Sequence, residues 1–145
     1  MNRRRLADDL IGFEGAVRNH DGDHIPYEDT RGVQTIGYGH RVDNGISEAA
    51  ARVILADDMA EAERDAWAVF HDISSLSGVR QEVIVQMAFQ LGRDGLRAFR
   101  LFRAAVLAQD WERAADEILD SDAARESGRR WRVLARWMRD GTRED

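Results

Sequence analysis

Cysteine and lysine are both absent from the 145 residues, proline occurs once, and no apolar run approaches the roughly 18 residues a membrane span needs. Without cysteine there can be no disulfides and no thiolate metal sites, which suits folding in a reducing cytoplasm. His20, His24 and His71 lack the paired spacing of metal ligands, so neither a metal nor a cofactor is expected. The apolar residues that follow Arg3-Arg4-Arg5 are interrupted by Asp8 and Asp9, which spoils the core of a signal peptide, so no export signal and no membrane insertion are expected. All 21 basic residues are arginine, a bias that reflects genome composition better than any chemistry of the fold. The net charge of −6 is mild and argues against a general nucleic-acid binder. Repeats, low-complexity tracts and linkers are missing as well.

What is present reads as one soluble domain, 43% hydrophobic and 33% charged, long enough to bury a sizeable core. Leu6, Leu10, Phe13 and Val17 recur at helical spacing and predict a first helix from about Arg3 to Phe13, with one buried side and Glu14 at its end. The polar run Arg18 to His24 and then Pro26 predict a loop. Ser47 is placed to cap a helix over Glu48 to about Phe70 that spans about 30 Å. Ser77 caps another, apolar nearly all round and therefore central, which Gly92 should stop. Helices from Leu96 to about Ala108, Trp111 to about Leu119 behind an Asp110 cap, and Arg129 to about Met138 complete the chain. Arg125, Arg129, Arg130, Arg132, Arg136 and Arg139 face only Glu126 within their own stretch, so the last segment is locally basic.

The stretch that organises the rest is Tyr27 to His40. Asp29-Thr30-Arg31-Gly32 has the residues of a four-residue turn between segments that favour strands, which predicts a hairpin. On its second segment Val33, Thr35 and Gly37 share one face, and two glycines let a ligand approach the backbone. Such a surface suits a long, polar ligand.

At these residues the chain resembles the phage-type lysozymes, the endolysin family of glycoside hydrolases (family 24) that cut peptidoglycan. The resemblance is carried by Phe13-Glu14-Gly15, Tyr27, Asp29 and Thr35-Ile36-Gly37-Tyr38-Gly39-His40. It resumes in Met87-Ala88-Phe89-Gln90-Leu91-Gly92 and reaches the end through Asp110-Trp111-Glu112-Arg113-Ala114-Ala115 and Arg139-Asp140-Gly141-Thr142. It implies a predominantly helical α+β fold. A small β-hairpin lobe at about 14–46 and a larger helical lobe, about 70–145 plus the N-terminal helix, would be joined by a long helix at about 47–70, with a cleft between them. It also implies a monomer acting on peptidoglycan glycan strands, held in the host cytoplasm until a membrane-permeabilising partner such as a holin releases it to the wall, or else carried on a virion.

Hydrolysing a glycosidic bond takes an acid for the leaving oxygen and a carboxylate that supports the oxocarbenium-like centre directly or through water. A carboxyl group sheltered from water can keep its proton, whereas an aspartate in a solvated turn stays ionised. The resemblance assigns Glu14 as the acid, Asp29 as its partner and Thr35 as the hydroxyl that positions water. It places His40, Arg41, Phe89 and Gln90 along the substrate path, Arg130 against the glutamate, and Asp58 as the acid pairing with His40 should that histidine be structural, with Asp57 the alternative. Two departures stand out. The family's second carboxylate follows its glutamate by nine residues, but Asp29 follows Glu14 by fifteen, as though six were inserted within Asn19 to His24, so Asp23 and Asp21 are rivals for the role. Ala123 stands near where the family often has a tryptophan. Two other readings compete with hydrolysis: a lytic transglycosylase, which uses the glutamate alone and leaves a 1,6-anhydro sugar, and an inactive wall-binding or virion structural module.

Overall fold

In the computed structural model, which describes residues 1–126 and 128–144, the first helix begins where Asn2 caps it by accepting from the Arg5 amide at 3.1 Å. This helix, α1 (Arg3–Glu14), ends as expected on Glu14, because Gly15 takes φ +63° and its amide closes on the Ile11 carbonyl. The chain divides into two compact units, Met1–Arg52 and Val53–Asp145.

The first unit is a small sheet built from two consecutive turns. Strands β1 (Tyr27–Glu28), β2 (Gln34–Ile36) and β3 (His40–Arg41) form one antiparallel sheet in the order β1-β2-β3. Thr35 lies opposite Tyr27 on one side and Arg41 on the other, and Ile36 lies opposite His40. The expected hairpin is therefore the first half of a pair. The second half turns through Gly37, Tyr38 and Gly39, with positive φ at both glycines. The predicted loop before β1 is ordered by its own hydrogen bonds: Arg18 bridges His24, and the Asn19 side-chain oxygen accepts from the amides of Asp21 and Asp23.

The first unit by itself does not cover the apolar stripe of α1: Leu6 and Leu10 are over 40% exposed and Phe13 is 85% exposed. The physical reason lies in the unit itself, where strands of two or three residues offer almost no apolar face and Thr35 alone is buried.

Ser47 caps α2 (Glu48–Val69) through the Ala50 amide, and Ser77 caps α3 (Gly78–Ala98) through the Arg80 amide. The remaining helices are α4 (Arg100–Leu107), α5 (Trp111–Leu119), α6 (Asp122–Glu126) and α7 (Gly128–Asp140). The core of the second unit gathers Ala66, Val69 and Phe70 with Val83, Ile84 and Met87 of α3, Phe102 of α4, Ile118 of α5, and Trp131, Leu134 and Met138 of α7. Phe99 stacks on Trp131, centroids 6.5 Å apart, and meets Phe102 edge-on.

Gly92 leaves helical geometry as expected, at φ +67° and ψ 177°, so α3 is two helical stretches meeting there; the second runs on to Ala98, and a further break falls at Phe99. The helix expected from Leu96 to Ala108 is thereby split between α3 and α4. Helix α6 was not anticipated, although Ser121 caps it through the Ala124 amide. The locally basic final segment is also partly neutralised from another helix, since Arg139 meets Glu112 at 2.8 Å and Asp116 at 3.6 Å, both on α5.

Arg80 closes the end of α7. Its guanidinium donates to the carbonyls of Met138 and Arg139, each at 2.9 Å, and stacks over the Trp111 ring. It thus satisfies two of the carbonyls a helix C-terminus leaves without partners.

Candidate active site

The candidate residues Glu14, Asp29, Thr35, His40 and Arg41 all belong to the first unit. Glu14, the last residue of α1, directs its side chain at the second turn. A Cβ added to Gly39 would lie 2.7 Å from Glu14 Oε2 and 3.0 Å from Cδ, so the carboxyl group rests on the bare backbone of that glycine. Only glycine permits this approach, and the φ of +77° there demands glycine as well. Glu14 itself is exposed. The sheltering that suits a proton donor does not come from its neighbours in the turn.

Asp29 opens the first turn and orders it. Its Oδ1 accepts from the amides of Arg31 at 2.8 Å and Val33 at 2.9 Å, while the Gly32 amide closes the turn on the Asp29 carbonyl. Those two amide bonds, Val33 first, hold the carboxyl below the usual carboxylate range, and the nearby charges of Arg31 and Arg41 act in the same direction.

Asp29 is therefore expected to titrate below an unstructured aspartate, which a carboxyl-carbon NMR titration would read directly. A folded pKa lowered in this way contributes stability above the unfolded pKa, and that contribution is lost as pH falls through the folded one. Asp29→Asn should thus be less stable than wild type at neutral pH, with the gap closing in acid. A gap independent of pH would contradict the assignment.

Thr35 is the one buried polar residue among those described, at 3% exposure. Its hydroxyl donates to the Val33 carbonyl at 2.9 Å. Val33 thus ties both groups down, since its amide donates to the Asp29 carboxylate and its carbonyl accepts from the Thr35 hydroxyl. Because the hydroxyl proton is committed to Val33, Thr35 can meet a water only as an acceptor. The two turns stand at opposite ends of β2, whose three residues span about 10 Å.

The rival carboxylates are occupied otherwise. Asp23 Oδ2 accepts from the Asn19 side-chain amide at 3.2 Å, and Asp21 pairs with His20 at 3.1 Å. His40 does not match the expected acid pairing at its Nε2, which lies 2.7 Å from the Gly45 carbonyl and so carries the proton. A backbone acceptor five residues on leaves no signal in the sequence. Arg41, exposed, stands across from Thr35 on β3.

In the second unit, Phe89 and Arg130 line one groove of about 750 Å³, together with Leu55, Met59, Trp67 and Val85. Gln90 and Arg130 line a neighbouring groove of about 620 Å³ with Trp137. Phe89 is 42% exposed, so it departs from the core reading its apolar helix invited. Asp58 is exposed on α2. Among the described residues no three His, Asp or Glu side chains converge as metal ligands do, and no helix is long and apolar enough to cross a membrane.

Sequence reasoning missed Arg18, Tyr38 and His24. Arg18 Nη2 donates to the Tyr38 hydroxyl at 2.9 Å, and the His24 ring meets the Tyr38 ring edge-on at 4.9 Å. The available signal was the pair of glycines bracketing a tyrosine.

Comparison with known proteins adds two findings. The family model described as Phage lysozyme matches residues 11–139. A protein of Enterobacteria phage T4, named the pre-baseplate central spike protein Gp5, is 33% identical over 117 residues, covering 61% of this chain and 20% of that protein. The chain thus spans about a fifth of the length of that relative.

Proposed function

The chain belongs to the phage lysozyme family, and on that premise we propose that it hydrolyses the β-1,4 bond between N-acetylmuramic acid and N-acetylglucosamine in bacterial peptidoglycan. Glu14 gives its proton to the glycosidic oxygen as the bond from the muramic anomeric carbon breaks. A water held by Asp29 and Thr35 adds to that carbon and passes its proton to the Asp29 carboxylate. Net addition of one water leaves a reducing muramic end.

The observation that carries this reading is the double tether at Val33. It leaves Thr35 Oγ1 as an acceptor, tied through Val33 to the same residue that holds the Asp29 carboxylate, and that aspartate is held ionised. A water that donates to both keeps a lone pair free for the sugar. Asp29 is preferred to Asp23 because Val33 links its carboxylate to the strand residue Thr35, whereas Asp23 accepts from Asn19 within the preceding loop. We read Arg41, His40, Phe89, Gln90 and Arg130 as substrate contacts or supports of this reaction.

The test is clearing of outer-membrane-stripped cells by Asp29→Asn beside Asp23→Asn. Asp29→Asn should be slowed by about 10² or more, with Asp23→Asn near wild type. The reverse pattern would move the partner role to Asp23. The name of the T4 relative, a spike protein, favours a virion-borne enzyme over one released from the host cytoplasm.

A further inference from the structure

The six-residue lengthening between Glu14 and Asp29 has no part in the reaction as drawn, yet its contacts lead back to Glu14. The turn on which the Glu14 carboxyl rests is Gly37-Tyr38-Gly39, and two of its three residues have no side chain. Glycines at positive φ make a turn easy to form but leave it free to move. Tyr38 is the one side chain by which the rest of the unit can hold it.

That side chain is gripped from the loop that runs from Arg18 to His24. The Tyr38 hydroxyl accepts from Arg18 Nη2, and Arg18 Nη1 donates to the Gly22 carbonyl at 2.7 Å, so the guanidinium links the loop to the turn. The His24 ring closes on the Tyr38 ring from the side, with its Nδ1 buried and lacking a hydrogen-bond partner, so ring contact is what that side of His24 gains. The loop is itself firm: Asn19 binds two of its amides through Oδ1, the amides of Asn19 and Gly22 close on the carbonyls of Asp23 and Asn19, and Ile25 donates to Val17.

We propose that Arg18 and Tyr38 are positioning residues, through which this loop fixes the Gly37–Gly39 turn and so the place of the Glu14 carboxyl. This rests on the reading of Glu14 as the acid. Tyr38 touches neither the proton nor the bond; it sets the wall the acid rests on, and misplacing a reacting group by about 1 Å can cost 10²-fold in rate.

The experiment compares Tyr38→Phe, Arg18→Gln and the double variant with wild type on solubilised peptidoglycan, beside His20→Ala in the same loop and Glu14→Gln. Tyr38→Phe keeps the ring against His24 and removes only the hydroxyl. It should lower kcat about tenfold with KM and Tm unchanged, the double variant should be no worse than either single, and His20→Ala should match wild type. Amide hydrogen exchange at Gly39, which needs no activity, should quicken in Tyr38→Phe and Arg18→Gln. Unchanged Gly39 exchange, additive losses in the double variant, or a loss in KM alone would overturn the proposal. A Glu14→Gln enzyme that stays active while Gly39 exchange quickens would overturn the acid assignment and leave the tether standing.

Discussion

Glu14→Gln should clear outer-membrane-stripped cells at least 10² times more slowly than wild type, the loss expected when a general acid is removed, and should melt at the same temperature. The amide has the length and shape of the carboxyl group it replaces, so it can lie against Gly39 as Glu14 does, where a Cβ would stand 2.7 Å from Oε2. What it cannot do is protonate a leaving oxygen. The effect should fall on kcat, because the substrate contacts proposed for Arg41, Phe89 and Gln90 are untouched. Clearing near the wild-type rate would remove Glu14 from the chemistry.

Gly39→Ala is expected to lose activity nearly as completely by a different route. The added methyl would meet Oε2 at 2.7 Å, Cδ at 3.0 Å and Cγ at 3.3 Å, so the carboxyl end of the Glu14 side chain has to swing away from its present place. The φ of +77° adds backbone strain of about 1–3 kcal/mol for a residue with a side chain. Gly37→Ala separates the two effects, since Gly37 shares a positive φ but a methyl added there would meet nothing within 4 Å. Both variants should be destabilised in chemical denaturation, and Gly39→Ala should lose roughly 10² more activity per folded molecule than Gly37→Ala. Equal specific activities would show that the contact with Glu14 does not matter to the reaction.

Much of this was legible in the sequence because it is local. Asn2 aside, the helix starts at Ser47, Ser77 and Asp110 were readable, since a capping side chain reaches only three residues along the chain. The turn at Asp29 was readable for the same reason, and the run from Thr35 to His40 marked the candidate site by resemblance. The missing parts are those made by groups far apart in the chain or by backbone alone. Nothing periodic marks Arg18 as the partner of Tyr38, twenty residues away, or Gly39 as the surface under Glu14. Nor does any side-chain pattern mark the carbonyl, five residues on, that meets Nε2 of His40. The stripe on α1 has helical spacing, but spacing states which residues share a face and not whether a unit of this size buries it.

In the proposed reaction a water, held at Asp29 and Thr35, completes what Glu14 begins. Mass spectrometry of the fragments released from purified peptidoglycan tests it most directly. Hydrolysis predicts muropeptides ending in reducing N-acetylmuramic acid, each carrying one molecule of water more than its anhydro counterpart, and none released by Glu14→Gln. Fragments ending in 1,6-anhydro-N-acetylmuramic acid would contradict it, because that product forms when the sugar's own hydroxyl closes the ring and no water is used.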